Sequence, residues 1–257
     1  MYLLEEKRMI ETSLKSIFMA TALLCIGSCT QDAPVERVKD DAVKSVNTKA
    51  ASVNPNINKA FVDPNVNVDI WADRWTGESR EVFALRHEIL DALTLMPGDR
   101  IADIGAGTGL YIKLFAETVG PKGQVYANDI SEPFLEFIKK NAKEDGLENV
   151  TTILGGDRTS NLPDASVDIV FHSDVYHHFE YPEDMVRDLA RVLVDGGEMF
   201  VLDFERIEGI TSERIINHVR ASKELVITEI EGNGFALIQE IKVPELKENY
   251  LLHFRKE

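Results

Sequence analysis

Three aspartates, each closing an apolar strand-like run, and one glycine-rich loop are the residues of this chain best suited to chemistry. The run IADIGAGTGLYIKLFA at 101–116 sets Asp103 two residues before Gly105, with Gly107 and Gly109 following at alternate positions. Gly105 and Gly107 let the backbone turn sharply and let a ligand come close where a Cβ would stand in the way. Gly109 opens a predicted helix whose free N–H groups face the same ligand. The segment VYANDIS at 125–131 ends a second strand with Asp129, and a carboxylate there can accept two hydrogen bonds from a diol. GGDRTSNLP at 155–163 places Asp157 after a third strand. Taken singly, Asp129 or Asp157 is equally well explained as a loop carboxylate or a helix cap. One carboxylate after each of three successive strands is a pattern that chance rarely produces. Further along, HSDVYHHF at 172–179 gathers histidines around a tyrosine. A neutral imidazole near pH 7 accepts a proton, so Tyr176, His177 and His178 are candidate catalytic residues. The bland alternative is that they shape their loop and stack on a ligand. A metal held by His172, His177, His178 and Asp174 is not expected, because adjacent histidines in a strand-like stretch point to opposite faces.

The glycine spacing argues against two nucleotide-binding loops. A dinucleotide fingerprint runs Gly-x-G-x-x-Gly and a Walker loop needs Gly-Lys-Ser/Thr, whereas this chain has Gly-x-Gly-x-Gly. That loop resembles motif I of the class I S-adenosylmethionine-dependent methyltransferases. The stretch 167–206, VDIVFHSDVYHHFEYPEDMVRDLARVLVDGGEMFVLDFER, is similar to the family's fourth strand, active-site loop, helix and fifth strand, including a Leu-x-x-Gly-Gly turn at 193–197. The resemblance covers about 60–257. It implies S-adenosyl-L-methionine as cofactor, with Asp103 beside the methionine amino group, Asp129 on the ribose hydroxyls and Asp157 at the adenine amine. It adds Gly105, Ala106, Gly107 and Gly109 from the loop, then Ile130, Arg158 and Ser173, to the cofactor-binding set. The reaction implied is an in-line transfer of the methyl group from sulfonium to a nucleophile, with a base required only if that nucleophile must lose a proton. Asn/Asp-Pro-Pro-Tyr, which marks methylation of exocyclic amines on bases, is missing after the fourth strand.

The elements that must position these residues follow from periodicity. Strands are predicted at 100–104, 124–129, 150–155, 167–172 and 196–203, alternating with helices at 109–118, 132–145 and 182–193. Such alternation gives βαβ units and a parallel sheet with helices on both faces. Helices are also expected at 69–75, 78–93 and 212–232. The runs Phe235–Val243 and Tyr250–Arg255 lack room for a crossover helix, so they should pair antiparallel. The expected fold is therefore α/β: a doubly wound, seven-stranded sheet, mostly parallel, with a C-terminal antiparallel hairpin. The segment 61–98 is expected to be a helical lid, with Trp71 and Trp75 packed in the core. Glu205, Arg206, His218, Arg220 and Lys223 are expected to be mostly solvated surface.

Of 257 residues, 44% are hydrophobic and 28% charged, enough to bury one sizeable core. The net charge of −16 repels phosphate backbones and excludes nucleic acid as an expected partner. The two cysteines, Cys25 and Cys29, both precede the domain, so neither a disulfide nor a cysteine metal site can form within it. The ten uncharged residues IFMATALLCI at 17–26 are too short to span a bilayer and suit a secretory signal. IGSC at 26–29 resembles the lipobox of bacterial lipoproteins, which implies cleavage after residue 28 and lipidation of Cys29. Residues 29–60 read as a flexible polar tether, and 61–257 as the methyltransferase domain. The expected setting is a lipid-anchored protein on the periplasmic or outer face of the cell membrane, acting on a small-molecule acceptor. Because the methyl donor is made in the cytoplasm, two alternatives stay open: a cytoplasmic enzyme, and an exported module that binds an adenosyl compound without catalysis.

Overall fold

The computed structural model describes residues 50–257. The expected signal segment, Cys25, Cys29 and most of the expected tether lie outside the described residues. Its seven strands are β1 (Arg100–Ile104), β2 (Gln124–Asp129), β3 (Val150–Leu154), β4 (Val167–Ser173), β5 (Leu193–Phe204), β6 (Phe235–Ile241) and β7 (Asn249–Lys256). They form one sheet in the order β3-β2-β1-β4-β5-β7-β6. The first five pair parallel, and β7 runs antiparallel to both β5 and β6. This is the expected doubly wound fold with its terminal hairpin. The winding reverses between β1 and β4, and in such sheets ligands bind outside the strand ends at that reversal.

Helices cover both faces. Val186 and Leu189 of α6 (Pro182–Val192) and Val226 and Ile230 of α8 (Lys223–Glu231) pack with Val170, Val201, Leu252 and Phe254. On the other face, Ile89 of α3 (Arg86–Ala92), Phe115 of α4 (Ile112–Val119) and Ile138 of α5 (Glu132–Glu144) pack with Ile101, Ala127, Phe171 and Leu251. Leu251 and Leu252 go to opposite layers because successive strand residues face opposite ways. Each fully buried large apolar side chain contributes roughly 1.5–3 kcal/mol.

The helix boundaries depart from periodicity in three places. The expected helix 78–93 is broken at Leu85 into α2 (Glu81–Ala84) and α3. The expected helix 212–232 divides into α7 (Glu213–His218) and α8, because the Ser222 side chain accepts from the Leu225 N–H and caps a new helix. The helix expected from Gly109 begins only at Ile112. At the N-terminal end, residues 50–60 contact the segment after β4. The Val53 N–H donates to the Glu180 carbonyl at 2.9 Å, and the Asn58 amide donates to the His178 carbonyl at 3.0 Å. Ahead of the sheet, α1 (Val68–Trp75) buries no residue fully.

Candidate functional site

At the winding reversal lies a cavity of about 760 Å³, within the range of small-molecule sites. Asp103, Gly105, Ala106, Gly107, Asp129, Ile130, Asp157, Ser173, His177 and His178 all line it. Ten residues drawn from four strand ends thus meet at one place, as their positions after successive strands implied.

The loop after β1 is built as a cradle. Gly105 and Gly107 adopt φ of 70° and 54°, the left-handed region where side chains are strained. The Gly105 and Ala106 N–H groups donate to the Asn128 carbonyl at 2.7 and 2.9 Å, clamping the loop onto β2. A Cβ on Gly107 would stand 2.9 Å from the Trp75 ring, so the indole of α1 covers this turn.

Asp103 is 3% exposed, and among the described residues no protein donor hydrogen-bonds its carboxylate. Burial, reinforced by the neighbouring Asp129 charge, pushes its pKa up to about 8. Such a group calls for a cationic ligand, as the ammonium of an amino acid moiety provides. Asp129 is better satisfied. Its two oxygens accept the Gly107 and Ser131 N–H groups, each at 2.8 Å. Burial raises its pKa to about 6 even though those backbone donors oppose the shift. Each oxygen keeps one further lone pair, which suits a diol. Asp157 is exposed on the rim.

Three expected site residues fall elsewhere. Gly109 lies off this cavity, where a Cβ would meet Ile138 at 2.9 Å, so its missing side chain serves helix packing. Arg158 turns outward: it pairs with Asp184, lies over the Tyr181 ring at 3.3 Å and donates to the Ala50 carbonyl. Tyr176 is wholly buried, and its hydroxyl donates to Glu229 at 2.9 Å. Burial and the Glu229 charge drive its pKa far up, so it serves the core and not proton transfer. His172 is also a core residue, stacked on Tyr176, and burial lowers its pKa to about 4.

His177 and His178 do not point to opposite faces. Residues 176–178 form a turn of 3₁₀-helix, not a strand, so the two rings lie side by side with centroids 4.4 Å apart. His218, at the end of α7, joins them at 5.0 and 5.1 Å. It is exposed, as expected, and also lines the cavity. Arg220 and Lys223 are likewise engaged, by Glu229 and by Glu205 with Glu240.

Asp203, near the end of β5, is a buried partner of His177 that pattern reading passed over. It is 1% exposed and accepts from His177 Nδ1 at 2.7 Å and from the His177 backbone N–H at 3.1 Å. Burial opposes charge on His177, but the Asp203 charge and hydrogen bond prevail and raise its pKa. His178 goes the other way, to about 3, through burial and the neighbouring His177 and His218. A lone carboxylate in the apolar run MFVLDF was the only signal of Asp203 in the sequence. Asp174 is occupied by Arg80 and by the Asn249 amide, which donates at 2.5 Å.

The roof is aromatic. Phe61, Trp71, Trp75 and Phe134 contact one another, with centroids 5.0–6.3 Å apart. Trp71 and Trp75 are half-buried over the cavity and not sunk in the core.

Comparison with known proteins agrees with this geometry. Residues 102–201 match the family described as methyltransferase domain. The ubiquinone/menaquinone biosynthesis C-methyltransferase UbiE of Ectopseudomonas mendocina is 32% identical over 111 residues, 43% of each chain. Its Pseudomonas fluorescens counterpart is 34% identical over 110 residues, 42% of this chain and 43% of that one. The match thus spans less than half the length of these relatives. Among solved structures, a SAM-dependent methyltransferase from Aquifex aeolicus superposes with a TM-score of 0.61 at 21% identity, covering 79% of this chain and 94% of the other. The cyclase SpnF superposes with a TM-score of 0.57 at 18% identity, covering 66% and 80%. The fold alone therefore hosts more than one chemistry. Residues 102–201 thus match a methyltransferase domain, and the solved structures share its fold.

Proposed function

We propose that this chain transfers a methyl group from S-adenosyl-L-methionine to a small-molecule acceptor held between the aromatic roof and the histidine wall. The observation that carries the reading is Asp103: a buried carboxylate without a protein partner, at the sheet reversal, facing the same cavity as Asp129 and the glycine turn. The cofactor supplies a methyl group on a cationic sulfonium, which needs no covalent help from the protein. Asp103 binds the ammonium, Asp129 takes the ribose hydroxyls on its two remaining lone pairs, and Asp157 meets the adenine amine. The roof of Phe61, Trp71 and Trp75 acts as a lid that excludes water and confines the acceptor, so that positioning supplies much of the acceleration. Asp203 fixes the His177 ring with Nδ1–H donating to it, which leaves Nε2 directed to other partners.

The acceptor does not carry over from the relatives. Phe61, Trp71, Trp75 and His218 lie outside the matched segment 102–201, and they form the part of the cavity beyond the cofactor carboxylates. Their character suits a small, largely apolar acceptor. The relatives that match are enzymes, which weighs against a purely binding role. The test is to incubate the full-length protein with methyl-labelled S-adenosylmethionine and a pool of small phenols, quinones and amines. Label should pass into an organic-soluble product. Label that stays in the cofactor across such pools and in cell extract would count against transfer.

We also propose that Cys29 carries lipid and tethers the domain to a membrane, supported by the apolar run at 17–26 and IGSC at 26–29. Among the described residues no helix is long and apolar enough to cross a membrane.

A further inference from the structure

Three imidazoles from two separate segments converge at the acceptor end of the cavity. His177 and His178 come from the 3₁₀ turn after β4, and His218 from the C-terminal end of α7. One ligand nitrogen from each lies within 4.8 Å of the others. Two of the rings are oriented by neighbours. The Asp203 carboxylate holds His177 Nδ1 at 2.7 Å, and the Asn58 side-chain oxygen lies 3.2 Å from His178 Nδ1. Both contacts favour Nδ1–H, so Nε2 of each ring is left as a lone-pair donor.

We propose that His177, His178 and His218 form a binding site for a divalent transition-metal ion, with the fourth position open toward the acceptor. Three imidazoles with one vacant position make a donor set used for catalytic zinc, and imidazole also suits cobalt, nickel and iron. A carboxylate on the far nitrogen of a ligating histidine is the usual second partner in such sites, because it orients the ring and strengthens the donor. Asp203 stands in that place and acts as a positioning residue. Metal–nitrogen bonds of 2.0–2.1 Å put tetrahedral ligand atoms about 3.4 Å apart, so the rings must close by roughly an ångström. His218 is exposed, at the end of a short helix, and has the freedom to supply that movement. The rival is a wall of neutral rings that only stack and hydrogen-bond.

The metal site stands on the three rings alone. Its use rests on the methyl-transfer reading: the ion would bind an acceptor hydroxyl and lower its pKa so that the proton passes to solvent water, and the oxyanion would take the methyl group as the S–CH3 bond breaks and S-adenosylhomocysteine leaves. The class of acceptor then narrows to a small hydroxylated compound able to ligate a metal.

The test uses the full-length protein, stripped with a chelator and titrated with cobalt(II). The expected result is a visible d–d spectrum of tetrahedral nitrogen ligation that saturates at one ion per chain and is displaced by zinc. His218→Ala should abolish the spectrum while leaving S-adenosylhomocysteine binding intact. His218 is exposed, so this variant should fold normally. Asp203→Asn should weaken cobalt binding about 10–100-fold. His87→Ala, on the exposed part of α3, should change nothing. Absence of the spectrum in protein that still binds S-adenosylhomocysteine overturns the metal site alone, as does an unchanged spectrum in His218→Ala. A cobalt spectrum in protein that binds no adenosyl ligand keeps the metal site and removes the methyl-transfer reading.

Discussion

At the scale of single residues, Asp103 is a buried carboxylate whose setting opposes stability and suits ligand binding. Its folded pKa of about 8 stands above the ordinary carboxylate value of 3.8. A raised carboxylate pKa means the folded state holds more protons than the unfolded one, so this group's contribution to stability falls as pH rises from about 4 to about 8. Asp103→Asn should therefore stabilise the domain near neutral pH by roughly 1–2 kcal/mol, read by chemical denaturation, while adenosyl-ligand binding is lost. In the native protein at pH 7, capture of an ammonium should ionise Asp103 and release close to one proton. Calorimetry in buffers of different ionisation enthalpy should show that release, and affinity should rise with pH up to about 8. Asp129 is different, because it also anchors the Gly107 and Ser131 N–H groups. Asp129→Ala should cost about 2–4 kcal/mol in binding and about 1–3 kcal/mol in stability, a double loss to be measured by calorimetry and denaturation together. The carboxylates were legible because each follows an apolar strand within a few residues. Asp203 and His218 were not, because their meaning depends on partners 26 and 41 residues away that only the folded chain brings near.

At the scale of elements, the strands were readable and the helix breaks were not. Five parallel strands announce themselves as short apolar runs followed by polar turns, and the structure places them close to expectation except that β5 begins at Leu193, where a turn was expected. Periodicity carries straight across Leu85 and across 219–222, because the apolar stripe continues while the backbone does not. Local capping decides the second break, at Ser222, and a distant clamp engages the start of α2 at Glu81. The Glu81 carboxylate at the start of α2 accepts the backbone N–H groups of Lys247, Glu248 and Asn249 at 2.8, 2.6 and 2.7 Å. It thereby ties the lid segment to the loop entering β7, and Asn249 in turn donates to Asp174 at the cavity. Glu81→Ala should destabilise the domain by about 1–3 kcal/mol, with faster amide exchange at 247–249 and little change in the central strands. Unaltered exchange there would show that the clamp is dispensable. The turn at 176–178 carries the larger lesson. A polar segment of three residues can be strand-like in sequence and helical in space, and that difference alone decides whether two histidines diverge or meet.

At the scale of the whole molecule, the order β3-β2-β1-β4-β5-β7-β6 puts the reversal, the glycine cradle and the carboxylates at one edge of the cavity. Sequence gave that edge away through three strand ends. It was silent on the acceptor wall, which is assembled from residues before 102 and after 201 as well as between them. The proposed anchor has its own test at this scale. In a bacterial host the full-length protein should partition into detergent, and Cys29→Ser should stop lipidation and leave unprocessed precursor. A soluble wild-type protein that keeps the residues before Cys29 would place the enzyme beside its donor in the cytoplasm. The central claim is that the cavity is a cofactor site for S-adenosyl-L-methionine, and titration calorimetry of the full-length protein tests it directly. Saturable heat with S-adenosylmethionine and S-adenosylhomocysteine at micromolar dissociation constants, absent with NAD, is the predicted result. Clear binding of NAD with no heat from either adenosyl compound would contradict the account.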